Sequence, residues 1–349
     1  MSDAYAAAGV DTDKADAGVG ALVDVLRRVE LGGPSRVVPL PGHYASVLRV
    51  SDTLGIAIGT DGVGSKIVVA ERADRLETVG IDCVAMNVND VVCVGAEPIA
   101  LVDYLAVESV DADRLARIAE GLRVGAQAAG CEIPGGELAV VPELIRGHPS
   151  PHGFDLCATC IGTVSLDAIV SGAAIRPGDA VIGLPSSGLH SNGYTLARRA
   201  LEPLGLDTTP PELGGASVAD ALLEPTVIYV RAVLELLRSG IPVHGLAHIT
   251  GGGLLNLLRL GAGFLIDDPL PVPPVFDLVA REAGVEPAEM WEVFNMGCGF
   301  ACVVPEDRAG EATAVLAAHH AGARRIGTAT DTGRVEIPAL GLSYPAARA

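Results

Sequence analysis

Aromatic residues make up 3% of this chain, too few for the stacking platforms that hold single-stranded nucleic acid. Lysine is almost missing: Lys14 and Lys66 are the only two, so a mechanistic ammonium group has to be one of them. Basic residues number 24 against 43 acidic ones, for a formal net charge of −19. That deficit argues against non-specific binding to nucleic acid or to an anionic membrane, since both need a positive field. It leaves room for a phosphorylated ligand, because backbone N–H groups bind phosphate locally. Long hydrophobic runs are absent as well. The chain is 49% hydrophobic, yet Asp, Asn, Glu or Pro breaks each apolar stretch well short of the roughly 18–20 residues of a membrane span. No basic segment followed by an apolar core opens the sequence, so no secretory signal is expected. The seven cysteines are odd in number and scattered, which reads as reduced thiols in a cytoplasmic protein. Cys157 and Cys160 form one C-x-x-C. It reads as a redox pair or half a zinc site, or else as a buried strand; the strand is favoured because no second pair accompanies it.

What is present suggests two domains. The chain has 349 residues, against roughly 150 per domain as a soft expectation, and its pattern restarts near residue 165. The division expected is therefore 1–165 and 166–349. Residues 46–60 read as two strands around a Ser-Asp-Thr turn, and 97–107 and 154–164 as further strands. Residues 78–94 read as a buried helix. Residues 111–129 form an amphipathic helix capped by Asp111 and ended by Gly130. In the second half PGDAVIGLPSSG reads as turn, strand and glycine loop, with a helix opening at Ser191 or Asn192. Residues 225–239 read as a helix with Pro225 in its first turn, and AHITGGGLLNLLRLG as strand or loop, glycine run and helix. Both halves mix strands and helices, so the class is α/β or α+β.

Six stretches carry polar chemistry. In Gly59-Thr60-Asp61-Gly62-Val63-Gly64-Ser65-Lys66 an acid ends a strand, flanked by glycines, with a cation five residues on. The spacing fits neither a P-loop nor a dinucleotide fingerprint; a plain turn with a solvated Asp and Lys is the competing reading. Asn87 and Asp90 share a helix face. They suit either a hydrogen-bonded core network or a divalent-cation ligand, since Mg²⁺ takes one or two carboxylates plus substrate phosphates. Gly135-Gly136-Glu137 presents a third carboxylate on a turn. In the second half Ser187, His190, Ser191 and Asn192 precede a helix start, and His248, Thr250, Gly251 and Gly252 repeat the theme. Both fit either an anion site or ordinary caps. Asn295 sits in another glycine turn, Phe294-Asn295-Met296-Gly297. Acids in one half and His, Ser, Thr and Asn in the other suit a cleft for a nucleoside phosphate with Mg²⁺ and a second polar molecule.

GTDGVGSK, GIDCVAMNVNDVVCVGAEP, SSGLHSNGY, AHITGGG and FNMGCG resemble, in that order, the signatures of the aminoimidazole ribonucleotide synthetase family (phosphoribosylformylglycinamidine cyclo-ligases), over about residues 5 to 330. The wider superfamily includes selenophosphate synthetase, thiamine-monophosphate kinase, the hydrogenase-maturation dehydratase and formylglycinamidine ribonucleotide synthetase. The resemblance implies a two-domain α+β chain that dimerises through the sheets of its N-terminal domains, with a C-terminal α/β domain. It implies ATP-driven ring closure in purine synthesis: phosphorylation of the formyl amide oxygen of formylglycinamidine ribonucleotide, attack by the amidine nitrogen, and departure of phosphate. It implies that Asp61 and Asp90, assisted by Glu137, hold Mg²⁺ on ATP, with Gly62, Gly64 and Asn87 on the nucleotide side and Lys66 neutralising phosphate. Ser187, Ser191, Asn192, Asn295 and His190 would bind the phosphorylated substrate. Thr250, Gly251 and Gly252 would border the phosphoryl path, and His248 would act as acid, base or donor. The sequence departs from the family at Ala6, where a lysine is usual. It departs again in LGGPSRVVPLPGHYA, which replaces a Gly-Gly-Phe-Gly lid but keeps Gly32, Gly33 and Gly42 for a different one, and in GGELAVVPE, which loses a Thr and a Glu. A paralogue acting on another amide or phosphate acceptor, and a nucleotide-binding protein without turnover, are the competing readings.

Overall fold

The structure, a computed structural model, describes residues 12–30 and 32–345. Ala6 and the start of the family-like opening lie outside the described residues. The chain runs α1 (Thr12–Leu26), β1 (Val37–Val38), β2 (Ser46–Arg49), β3 (Leu54–Gly62), α2 (Lys66–Ala73), α3 (Glu77–Val92), β4 (Glu97–Val107), α4 (Ala112–Ala129), β5 (Glu132–Val140) and β6 (Phe154–Ser165). The second half runs β7 (Ala180–Pro185), α5 (Tyr194–Leu201), α6 (Val218–Leu223), α7 (Val230–Arg238), β8 (Gly245–His248), β9 (Gly263–Leu265), α8 (Pro274–Ala283), α9 (Pro287–Val293), β10 (Cys298–Val304), α10 (Ala309–His319), β11 (Arg324–Thr330), β12 (Arg334–Ile337) and β13 (Leu342–Pro345). No described helix is long and apolar enough to cross a membrane.

The strands form two sheets, in the orders β1-β2-β3-β6-β4-β5 and β13-β12-β9-β11-β7-β10-β8. In the first, only β4 and β5 run parallel; they are joined by α4, the crossover that parallel neighbours need. Alternation along β6 is strict, with Leu156, Ala158 and Cys160 turned in and Asp155 turned out. Cys157 and Cys160 therefore point to opposite faces, which removes the redox-pair and zinc readings. α3 covers the inner face, and 12 of its 16 residues are buried. It crosses α4 at glycines: a Cβ on Gly121 would overlap the Glu77 carbonyl oxygen, so the two backbones meet where no side chain intervenes. α4 is capped as its sequence indicates, by the Asp111 side chain at one end and left-handed Gly130 at the other.

Two expectations fail in the second half. The helix foreseen over 225–239 begins only at Val230. The preceding residues stay irregular because their backbone groups serve side chains of α3. The Thr226 and Tyr229 N–H groups donate to Asp82 and Asn89, and the Val227 carbonyl accepts from Asn89. The helix foreseen at Ser191 or Asn192 starts at Tyr194, with Gly193 as a left-handed N-cap. The segment after the glycine run, Gly253–Leu260, is a 3₁₀ helix.

Candidate functional site between the two halves

Polar residues on an otherwise apolar helix build the site. Asp82, Asn87, Asn89 and Asp90 of α3 all meet partners, as buried polar groups must. The Asn87 side chain accepts from the Asp61 backbone N–H at 2.9 Å and donates to the Asp61 carbonyl at 3.1 Å. This pair pins the last turn of β3 to the helix. Asn89 bridges to the second half through Tyr229 and Val227. Asp90, one position on, receives His248 Nδ1 of β8 at 2.8 Å. The other ring nitrogen of His248 lies 3.4 Å from the Asn89 amide nitrogen. That nitrogen is a donor, so the proton sits on Nδ1 and points at Asp90.

Asp61 and Asp90 share this corner. Burial pushes the Asp61 carboxyl above the ordinary carboxylate range. The Gly62 N–H, bonded to it at 2.7 Å, opposes the rise; the Asp90 charge adds to it and His248 opposes it. Gly62 is half-buried, whereas Gly64 is exposed and takes a positive φ of 70° with open space around it. Gly64 is therefore needed for the turn, not for room.

Lys66 does something other than the sequence suggests. Its ammonium is wholly buried and donates to Asp82 at 2.9 Å, the His190 carbonyl at 3.0 Å and the Glu224 carbonyl at 2.7 Å. An ammonium has three protons, and all three are taken. Lys66 thus fastens the two halves together and has none left for a phosphate.

His190 is buried too. Burial holds its imidazole well below the ordinary histidine range, and His248 and Lys66 add to the effect. Its Nε2 accepts from the Ser187 N–H at 3.3 Å, and Nδ1 has no partner. It is a neutral ring, which removes an imidazolium acid at this position.

The two glycine-rich loops of the second half face each other. A Cβ on Gly251 would lie 3.4 Å from Asn192 Oδ1, and the Asn256 amide ties the Gly251 and Gly253 carbonyls at 3.0 and 2.8 Å. Gly252 is left-handed, and Thr250 reaches Asn256 at 3.4 Å. Ser187 donates to the Pro225 carbonyl at 2.6 Å and Ser191 pairs with Thr226 at 3.0 Å; both hydroxyls are half-buried. Asn295 is a correction. Its oxygen accepts from Ser186 and Gly297, and its amide donates to the Gly188 carbonyl. It braces the loop from beneath and presents nothing to a substrate.

Glu137 is a second correction. In the parallel register of β4 and β5 it stands beside Tyr104, on the outer face, while Gly136 stands beside Asp103. Asp103 and Asp61 both lie opposite buried Ala158 of β6, on the face that α3 covers. Glu137 therefore lies across the sheet from Asp61 and Asp90 within the chain. Sequence reading missed Asp103, whose carboxyl burial pushes up and whose approach leaves no room for a Cβ at Gly136. It also missed His43, Tyr44, Asn256 and Arg259, a linked group whose His43 and Tyr44 feel the Asp90 charge. Among the described residues no three His, Cys, Asp or Glu groups come together as a metal cage.

The fold and its residues have clear likenesses. The AIR synthase related protein family matches twice, its N-terminal domain over residues 42–164 and its C-terminal domain over 176–339. A phosphoribosylformylglycinamidine cyclo-ligase of Thermococcus kodakarensis is 50% identical over 323 residues, covering 90% of this chain and 92% of the relative. One from Methanothermobacter thermautotrophicus is 47% identical over 344 residues, covering 96% and 97%. Among solved structures, a hydrogenase maturation protein HypE in complex with ATP aligns with a TM-score of 0.60 at 24% identity, over 86% of this chain and 87% of its own. A ThiL complexed with AMPPCP and TMP aligns at 0.63 and 17%, over 91% and 92%.

Proposed function

The chain belongs to the phosphoribosylformylglycinamidine cyclo-ligase family, and on that premise we propose that it closes the imidazole ring of aminoimidazole ribonucleotide at the Asp61–Asp90 corner, using ATP and Mg²⁺. One observation carries the siting: Asp90 of α3 is bonded to His248 of the second half, and both charges act on the Asp61 carboxyl of β3. Two carboxylates without a protein cage are the donor set that Mg²⁺ uses when substrate phosphates complete its shell. Asp61 and Asp90 would hold the ion, which when bound neutralises charge on the triphosphate. Residues 1–165 supply this nucleotide side. Residues 166–349 supply the side of the second substrate, through Ser187, Ser191, Asn192 and the Thr250–Gly252 loop.

An amide oxygen is a poor leaving group and phosphate a good one. In the first step the amide oxygen bonds to the γ-phosphorus, ADP leaves with the electron pair of the broken P–O bond, and the amide N–H loses its proton. In the second the ribosyl-bearing amidine nitrogen attacks the activated carbon. The C–O bond breaks, inorganic phosphate takes the electron pair, and the attacking nitrogen gives up its proton. The chain's part is mainly positioning and charge complementarity, as phosphoryl transfer requires. Asn87 fixes the Asp61 backbone, His248 orients the Asp90 carboxylate, and neutral His190 shapes the substrate loop through the Ser187 N–H.

The full-length protein with ATP, Mg²⁺ and formylglycinamidine ribonucleotide is expected to release one ADP and one phosphate for each aminoimidazole formed. Turnover only with a different acceptor, or nucleotide binding with no turnover, contradicts the reading.

A further inference from the structure

The segment that replaces the family's glycine lid ends in Gly42-His43-Tyr44-Ala45, and the Asp90 charge reaches both His43 and Tyr44. Tyr44 is buried, and its hydroxyl donates to the Asn256 carbonyl at 3.0 Å. Asn256 is the residue that braces the Gly251–Gly253 turn, so lid and glycine loop share one anchor. The Arg259 guanidinium lies 4.9 Å over the Tyr44 ring, within cation–π range. His43 meets the same ring edge-on at 5.6 Å.

His43 is left incomplete, and Arg259 stands exposed beside it without a partner for its charge among the described residues. Neither ring nitrogen of His43 is exposed to solvent, and neither has a hydrogen-bond partner. A neutral imidazole carries one donor and one acceptor, and orphaned buried polar atoms call for an explanation such as a ligand. Arg259 has no hydrogen bond or ion pair among the described residues, in a chain where 43 acidic residues outnumber 24 basic ones. Arg72, Arg75, Arg117 and Arg238 all find carboxylates. An unpaired guanidinium beside an orphaned imidazole is a complement for an anion. The charges of Asp90 and Arg259 both reach His43, with opposite effects, which puts the pair near the nucleotide corner. Lys66, the cation that the sequence pointed to, is committed elsewhere.

We propose that His43 and Arg259 form an anion clamp for the phosphoryl group in transit between nucleotide and amide oxygen, with Tyr44 as the shared wall that aligns them. The inference rests on the cyclo-ligase reading above. Burial and the Arg259 charge lower the His43 pKa to about 4, so the ring serves as a neutral N–H donor at pH 7 and Arg259 supplies the charge. Its nitrogens have no solvent access here, so the clamp engages through a small movement of the 39–45 loop.

ADP, Mg²⁺ and orthovanadate together mimic the phosphoryl group in flight. Thermal unfolding of the full-length protein is expected to shift upward with ADP and Mg²⁺, and further when vanadate is added with formylglycinamidine ribonucleotide. Arg259→Gln and His43→Phe should each keep the first shift, lose the second, and lower kcat by about 100-fold, the scale of a lost transition-state donor. Arg259→Lys should regain part of both. A vanadate shift that survives in both variants, or that the wild-type protein never shows, overturns the clamp; so does loss of the ADP shift, which would make the residues ground-state or structural contacts. Turnover of formylglycinamidine ribonucleotide by the same wild-type preparation keeps these outcomes separate from failure of the functional reading.

Discussion

Lys66 is the residue at which chemistry inferred from type and chemistry set by place diverge most. Beside two glycines and a carboxylate it reads as a phosphate ligand. In the fold it is fully buried, and both Asp82 oxygens lie 2.9 Å from its ammonium. Burial draws its pKa down and Asp82 draws it back up. Removing one partner of such a pair leaves a buried charge without compensation, which costs about 3–5 kcal/mol. Lys66→Met should therefore lower the unfolding free energy by that amount in a urea titration, while the folded protein still binds ATP. Unchanged stability with lost ATP binding would restore the phosphate role. Asp61 drew notice as an acid ending a strand between glycines, and Asp90 as a carboxylate inside an apolar run. His43, Asn256 and Arg259 were not, because their contacts join positions as far apart as Tyr44 and Asn256, 212 residues away. No local pattern encodes such a pair.

Elements with strong periodicity were legible nearly to the residue. The spans 97–107, 111–129 and 154–164 appear as Glu97–Val107, Ala112–Ala129 and Phe154–Ser165. The failures fall where tertiary partners claim the backbone, as Asp82 and Asn89 do over residues 226–229. The outer face of the first sheet is legible in a different sense. It leaves Ile99, Val102 and Tyr104 each at least 40% exposed, an apolar surface larger than scattered single residues would give. The dimer implied by the family resemblance would cover it, burying the outward residues of β4 and β5 from two copies. The wild-type protein should sediment as a dimer at micromolar concentration, and a Val102→Asp, Tyr104→Asp double variant as a monomer with an unchanged circular dichroism spectrum. A monomeric wild-type protein would remove the sheet face as an interface.

At the scale of the whole molecule, the two halves are joined by a polar seam and not only by apolar packing. Lys66, Asp82, Asn89 and Asp90 of the first half bond to Glu224, Thr226, Tyr229 and His248 of the second. Polar seams are directional, so they fix how the halves are placed where apolar contact alone would tolerate sliding. The fold family was legible from motif order. The seam was not, because its members are separated by more than 130 residues. At its open end stands the corner of Asp61 and Asp90, and the account depends on that corner holding a magnesium-bound triphosphate. The most direct measurement is calorimetric titration of ATP into the full-length protein with and without Mg²⁺, repeated for Asp61→Asn and Asp90→Asn. The account predicts that Mg²⁺ tightens binding at least about tenfold in the wild-type protein, a difference of about 1.4 kcal/mol, and has little effect in either variant. Equal tightening in all three proteins would contradict it.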